Sequence, residues 1–105
     1  MIHRTMIEPC GTYEFAMEPM TDALIEELRP INAAIADELG DGSDLVVDYD
    51  LWRALNERGR YVVFTARHDG ALAGACTVHV QESARSAGMV AHEDAMYVYP
   101  QHRVG

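Results

Sequence analysis

The last stretch of the sequence, EDAMYVYPQHRVG (residues 93–105), decides how the rest of the chain is interpreted. A strand-like run leads into Tyr99 and Pro100, and proline ends a strand because it cannot donate a backbone hydrogen bond. The segment after Pro100 is rich in hydrogen-bonding groups and closes on Gly105. The pattern predicts a strand over about residues 91–99 that ends at Pro100.

The clearest local signal lies before this strand. Residues 61–66 and 72–80 are two runs rich in β-branched, aromatic and small apolar residues, and Asp69-Gly70 separates them. Two such runs joined through Asp-Gly predict a β-hairpin, in which Gly70 supplies the positive φ of the turn. With the strand that ends at Pro100, the hairpin makes a three-stranded antiparallel meander.

Helical periodicity precedes the meander. In residues 23–39 the apolar positions are spaced by four, three, four and four residues, namely Leu24, Leu28, Ile31, Ile35 and Leu39. Thr21 or Asp22 is a suitable N-cap. Pro30 interrupts the pattern, which predicts either a kinked helix or two helices that meet there.

A second, shorter helix is predicted over residues 48–58, with Leu51, Trp52 and Leu55 toward the core. Residues 13–17 alternate as a half-buried strand does, and residues 1–12 predict a flexible leader or a short strand followed by a turn. The order is strand, helix, helix and meander, so the chain predicts one α+β domain over residues 13–105.

Composition excludes several classes of function. The 105 residues carry a formal net charge of −9, with seventeen acids against eight bases. A domain this acidic is a poor ligand for nucleic acid or anionic lipid, because phosphate neutralisation dominates both affinities. No stretch approaches the roughly 20 apolar residues of a membrane span. The two cysteines, Cys10 and Cys76, have no zinc-ligand spacing, and we expect a cytoplasmic protein with reduced thiols and no metal.

The end of the chain resembles a known family. Val98 to Arg103 reads V-x-P-x-x-R, which resembles the start of the coenzyme A pyrophosphate loop of the GNAT superfamily of N-acyltransferases. The hairpin, with Gly74 shortly after its turn, is similar to the hairpin of that family, and the resemblance covers about residues 13–105. The particular form of residues 92–103 is similar to GNAT proteins encoded by phages and prophages.

The resemblance implies a site for acetyl-CoA. It implies that the backbone of Met96, Tyr97 and Val98 pairs with the pantetheine arm. Arg103, Val104 and Gly105 would begin the pyrophosphate cradle, in which consecutive backbone N–H groups bind the anion before a helix.

The resemblance also implies a base that deprotonates an acceptor amine on the strand before the loop. Glu93 and Asp94 lie there. Successive strand residues point to opposite faces, so at most one of them faces the cleft, and Glu93 is the predicted base. His79 and His92 are the alternatives, since neutral imidazole accepts a proton near neutral pH.

The motif is expected to continue beyond Gly105, so the chain is expected to be an N-acetyltransferase or the N-terminal part of one. Without the missing half, the apolar face of the sheet would be partly uncovered, and self-association or a partner protein would complete the sheet. The alternative function is therefore a non-catalytic GNAT-derived interaction subunit, for example of a phage or prophage assembly.

Overall fold

Five strands form one antiparallel sheet, and their order in the sheet is their order in the chain. The computed structural model describes residues 5–10, 13–39, 47–83, 85 and 87–103. The strands are β1 (Thr5–Cys10), β2 (Tyr13–Glu18), β3 (Tyr61–His68), β4 (Ala71–Glu82) and β5 (Met89–Val98). The α+β class and the predicted order of strand, helices and meander are confirmed. Within the segment 1–12, the described residues 5–10 form the strand β1, as in the second of the two alternatives, and the rest of this segment lies outside the described residues.

Helix α1 (Asp22–Leu39) is one continuous helix that contains Pro30, so the prediction of two separate helices is wrong. Pro30 is exposed, and water can therefore satisfy the carbonyl that the proline leaves without its helical partner. Thr21 caps the helix, because its Oγ1 accepts a hydrogen bond from the Leu24 N–H. Leu24, Leu28 and Ile31 are buried as predicted.

Helix α2 (Tyr49–Glu57) begins after Asp48, whose side chain accepts a hydrogen bond from the Leu51 N–H. Trp52 and Leu55 pack against the core as predicted. Leu51 does not, because it is 50% exposed. In so short a helix only a narrow stripe reaches the core, and Tyr49 takes the place that the pattern gave to Leu51.

The predicted hairpin joins β3 to β4. Asp69 and Gly70 have φ angles of 51° and 84°, and positive φ at both central residues is the geometry of a type I′ turn. Asparagine, aspartate and glycine are the residues that adopt it most readily, which is why this dipeptide predicted the turn.

The sheet has two unlike faces. We call the face that packs on the helices the helix face; Tyr61, Val63, Thr65 and Arg67 of β3 are buried there. We call the other side the open face. It carries apolar side chains that remain exposed in the described part of the chain, namely Phe15, Met17 and Met96, at 37%, 38% and 65%. The partly uncovered apolar face that we expected is therefore present.

An ionic cluster joins α1 to the helix face. Arg67 Nε donates to Glu18 Oε2 at 2.8 Å, and its two terminal nitrogens each donate to Glu27 at 2.8 Å. The Thr65 hydroxyl also donates to Glu18. The side chains of Arg67 and Glu18 are only 8% and 6% exposed. Each buried charge is thus matched, as burial requires.

Candidate functional site

Strand β5 carries the predicted site, and it is the last strand of the sheet. Its pairing with β4 shifts register at one point, where Thr77 lies opposite Ala95 but the next residue, Val78, lies opposite Glu93. Asp94 is therefore the extra residue of a β-bulge. The bulge places the neighbouring carboxylates, Glu93 and Asp94, in different surroundings.

Glu93, the predicted base, is exposed and lies on the side of Cys76. Burial raises the pKa of the Cys76 thiol, and the negative charge of Glu93 raises it further. Cys76 lines the open face, so Glu93 directs its charge toward that face. The structure thus places Glu93 beside the open face, away from the helices.

Asp94 interacts with the helix face instead. The hydroxyl of Tyr61, a residue that is 3% exposed, donates a hydrogen bond to Asp94 Oδ2 at 2.6 Å. Burial raises the pKa of Tyr61 strongly, and the bond to Asp94 raises it further against an opposing hydrogen bond from Thr77. The phenol therefore stays protonated, and its hydroxyl remains the donor of the hydrogen bond to Asp94. Sequence reasoning had assigned Tyr61 only to a strand; its place in the β3 alternation, on the same face as Val63, was the available signal.

The alternative bases, His79 and His92, lie directly opposite each other on β4 and β5. Both are exposed. The His79 ring meets the edge of the Tyr61 ring at a centroid distance of 6.0 Å. His79 also pairs with Tyr61, so this histidine pair lies on the helix face, at the second residue pair beyond the bulge.

The three predicted pantetheine contacts follow the bulge. Met96 projects from the open face, Tyr97 is 8% exposed in the core, and Val98 is half-buried. At this point β4 comes very close, because a Cβ added to Gly74 would lie 2.8 Å from the Tyr97 carbonyl oxygen. A glycine at position 74 therefore allows the close approach of β4 to the Tyr97 backbone.

The chain leaves the sheet through a 3₁₀ turn, Pro100–His102, that the Tyr99 N–H anchors to the Ala73 carbonyl. His102 Nδ1 lies 2.9 Å from the Tyr13 hydroxyl on β2, and the His68 ring packs against both rings, with centroid distances of 5.1 Å to Tyr13 and 5.2 Å to His102. Sequence reasoning did not single out this contact, since its two ends are 89 positions apart. It connects the start of the predicted loop to strands β2 and β3.

Arg103, the first predicted residue of the pyrophosphate cradle, is held on the helix side. Its Nε donates to the Val98 carbonyl at 2.7 Å, its terminal nitrogens each lie 3.1 Å from a Glu38 carboxylate oxygen, and its guanidinium stacks 5.1 Å from the Tyr97 ring centre. The bond to Glu38 raises the pKa of Arg103, so the cation is permanent. Val104 and Gly105, the other predicted cradle residues, lie outside the described residues.

An open apolar pocket of about 210 Å³ lies on the open face, beside Met96 and Val98. Phe15, Phe64, Cys76, Met96 and Val98 contribute to its walls. Within the described ranges, no group of three or more His, Cys, Asp or Glu side chains is arranged to hold a metal ion. Nor does any helix there have the length and apolar character to cross a membrane.

Comparison with family models identifies the chain. Residues 17–104 match the model of the acetyltransferase (GNAT) family, which includes both the bulged strand and the Pro100 turn. This chain belongs to the GNAT family. No curated protein sequence matches it.

Solved GNAT acetyltransferases share the fold. A ribosomal-protein-alanine N-acetyltransferase from Brucella melitensis biovar Abortus 2308 superposes with a TM-score of 0.70 at 24% identity, over 89% of this chain and 62% of that one. An aminoglycoside acetyltransferase from an uncultured soil metagenomic sample, in complex with sisomicin, gives 0.67 at 16% identity, over 86% of this chain and 58% of that one. This GNAT chain thus spans about three fifths of the length of these enzymes.

Proposed function

We propose that the chain transfers an acetyl group from acetyl-CoA to an amine, by itself or as part of a longer protein. The observation that carries the proposal is the bulged strand β5 running directly into V-x-P-x-x-R, inside the region that the family model matches. The form of residues 92–103 supports placing it among phage- and prophage-type members, and a cytoplasmic location stays a prediction.

The residues present suit the acetyl-CoA that the family uses. In an antiparallel strand alternate residues bond to one neighbour, so the N–H and C=O groups of Met96 to Val98 that do not bond to β4 face outward and could pair with an amide-containing arm. One of these groups, the Val98 carbonyl, already accepts a hydrogen bond from Arg103 Nε, and the arm would have to share or displace it. Arg103 offers a cation at the point where the cradle would begin. Bound acetyl-CoA would supply a thioester whose acyl carbon accepts the amine.

Glu93 is the proposed base. It would take a proton from the acceptor ammonium, which leaves a neutral amine with a lone pair for the thioester carbonyl. The new C–N bond would replace the C–S bond, and the departing thiolate would take up the second proton, which the attacking nitrogen loses as the amide forms. Because Glu93 is exposed beside the open face, an acceptor can reach it from solvent.

Calorimetric titration of the full chain with acetyl-CoA tests the proposal. Arg103→Gln should weaken binding about tenfold, in the range of one charge-assisted phosphate contact. Glu38→Gln should strengthen it about twofold to threefold, because it releases Arg103 from an exposed ion pair. Glu57→Gln, an exposed glutamate on α2, is the matched control and should change nothing. A wild-type chain that binds no acetyl-CoA would overturn the proposal that this chain acts by itself.

Turnover tests the base and the acceptor. Release of free CoA should be measured with sisomicin and with a peptide that begins with alanine, the acceptors suggested by the names of the two structural relatives. Glu93→Gln should lower kcat at least about a hundredfold, the usual contribution of a general base, with acetyl-CoA affinity unchanged. An unchanged kcat in Glu93→Gln would exclude Glu93 as the base and return attention to His79 and His92.

The interaction-subunit alternative rests on the exposed apolar side chains of the open face. Self-association through that face would be visible as a mass above the monomer in sedimentation. A chain that associates and binds no acetyl-CoA would favour this alternative, whereas a monomer that binds acetyl-CoA would exclude it.

A further inference from the structure

We propose that the side chain of Arg103 closes the coenzyme site in the free chain, and that acetyl-CoA must displace it in order to bind. The inference rests on the proposed function, to which it adds a self-inhibiting contact. The cation that would bind the pyrophosphate is held by Glu38 of α1, and it covers the Val98 carbonyl, which the pantetheine arm would need.

The first argument is that every nitrogen of the Arg103 guanidinium is engaged. Nε donates to the Val98 carbonyl at 2.7 Å, and the two terminal nitrogens each lie 3.1 Å from one oxygen of the Glu38 carboxylate. Two parallel contacts of this kind are the geometry in which arginine binds either a carboxylate or a phosphate. Glu38 therefore occupies the edge of the guanidinium that a pyrophosphate would use.

The second argument concerns the Val98 carbonyl. Val98 is the last residue of β5, and β5 is the end strand of the described sheet. The hydrogen bond from Arg103 to this carbonyl is charge-assisted, whereas an amide N–H of the arm is a neutral and weaker donor. The arm therefore gains little from Val98 until Arg103 has moved away.

The third argument is that only a side chain has to move. The turn before Arg103 is anchored to β4, because the Tyr99 N–H donates to the Ala73 carbonyl. The side chains of Arg103 and Glu38 are 44% and 49% exposed, and ion pairs in that setting are weak. Exposed side chains change rotamer within nanoseconds. Arg103 can therefore leave Glu38 while the backbone of the turn stays in place.

Displacement of Arg103 also has a consequence for α1. The last turn of this helix carries Asp37 and Glu38 and no basic residue. Carboxylates are unfavourable there, because the C-terminal end of a helix dipole is negative. Arg103 compensates for Glu38 in the free chain. Acetyl-CoA should therefore loosen the last turn of α1 as it takes Arg103 away.

Pantetheine, the uncharged arm of the coenzyme, tests the proposal through a change of sign. Its affinity is measured from amide chemical shifts of the ¹⁵N-labelled full chain. Arg103→Ala should strengthen pantetheine binding about threefold, the scale of one net hydrogen bond, because it uncovers the Val98 carbonyl. The same variant should weaken acetyl-CoA binding about tenfold, because the pyrophosphate loses its cation. Unchanged or weaker pantetheine binding in Arg103→Ala would overturn the proposal.

The matched control is Arg58→Ala, which removes an exposed arginine at the end of α2. It should leave the affinities for pantetheine and acetyl-CoA within about twofold of wild type, the scale of a screened surface charge. An equal gain in pantetheine affinity in Arg58→Ala and Arg103→Ala would overturn the proposal, because loss of a positive charge anywhere on the chain would then explain it.

Hydrogen exchange of the free chain tests the closing contact without any ligand. Arg103→Ala should raise the exchange rates of the amides in residues 36–39 about twofold to fivefold, the scale of one charge at a helix end. Arg58→Ala should leave these rates unchanged. Wild-type exchange rates in Arg103→Ala would overturn the proposal, because α1 would then not depend on Arg103.

Acetyl-CoA affinity separates this proposal from the proposed function. A wild-type chain that binds acetyl-CoA, with no gain of pantetheine affinity in Arg103→Ala, would keep the transferase activity and defeat the closing contact. A wild-type chain that binds no acetyl-CoA would defeat the activity of the chain by itself. The closing contact would then be supported if Arg103→Ala gained affinity for pantetheine, and overturned if it did not.

Discussion

At the scale of single residues, Arg67 is a buried cation whose charge must be matched by neighbouring carboxylates. It satisfies Glu18, which is buried with it, and the half-buried Glu27. Arg67→Met keeps most of the side-chain volume but leaves Glu18 without its cation. We expect a loss of about 3–5 kcal/mol in the free energy of unfolding, the cost of breaking a buried ion pair from one side.

Urea denaturation measures that loss, and Arg53→Met is its matched control. Arg53 pairs with Asp22 and Asp50, whose side chains are 84% and 91% exposed. Exposed pairs contribute about 0–1 kcal/mol, so Arg53→Met should be nearly neutral. Similar losses in the two variants would show that burial does not set the strength of the Arg67 cluster.

Tyr61 makes the stability of the fold depend on alkaline pH. Its pKa is raised in the folded chain above the ordinary tyrosine value of about 10. Above that pH the unfolded chain loses the phenol proton first, so it binds fewer protons than the folded chain, and stability falls as pH rises. Denaturation from about pH 9 to about pH 11 should show this slope, and Tyr61→Phe should reduce it.

At the scale of elements, the contact between β4 and β5 depends on Gly74. Added at this position, a methyl group would meet the Tyr97 carbonyl oxygen at 2.8 Å, which is backbone and cannot turn aside. Gly74→Ala should therefore separate the strands and cost about 1–3 kcal/mol, as overpacking does. Gly70→Asn, in the adjoining turn, is the control, because asparagine tolerates positive φ. A Gly74→Ala chain with wild-type stability and unchanged amide shifts in β5 would contradict the close contact.

The elements also show which parts of the site local sequence predicts. Asp69-Gly70 and the spacing of Leu24 to Ile31 determine a turn and a buried stripe through local backbone preferences and burial, so both were predictable. The bulge at Asp94 was not, because one extra residue in a strand is set by the pairing with β4. As expected, Glu93 and Asp94 face opposite sides, since Glu93 lies beside the open face and Asp94 bonds to Tyr61 on the helix face. The contact of Arg103 with Glu38 joins residues 65 positions apart, and nothing local indicates it.

At the scale of the whole molecule, two opposing forces act between copies of the chain. The net charge of −9 makes copies repel one another. The open face attracts them, since its exposed Phe15, Met17 and Met96 would leave water on contact. Repulsion between exposed charges is screened by salt, whereas apolar attraction is not weakened by it. The balance therefore predicts that association strengthens as salt is added.

Sedimentation velocity distinguishes this from association through ion pairs. Between about 20 mM and about 500 mM NaCl the Debye length falls several-fold, and the average mass of the wild-type chain should rise. The double variant Met17→Gln, Met96→Gln removes apolar surface without changing charge, and it should stay monomeric at both salt concentrations. Leu51→Gln, on exposed α2, removes a comparable apolar side chain elsewhere and should associate like wild type. A mass that falls with salt would mean that charged contacts, rather than the open face, hold the copies together.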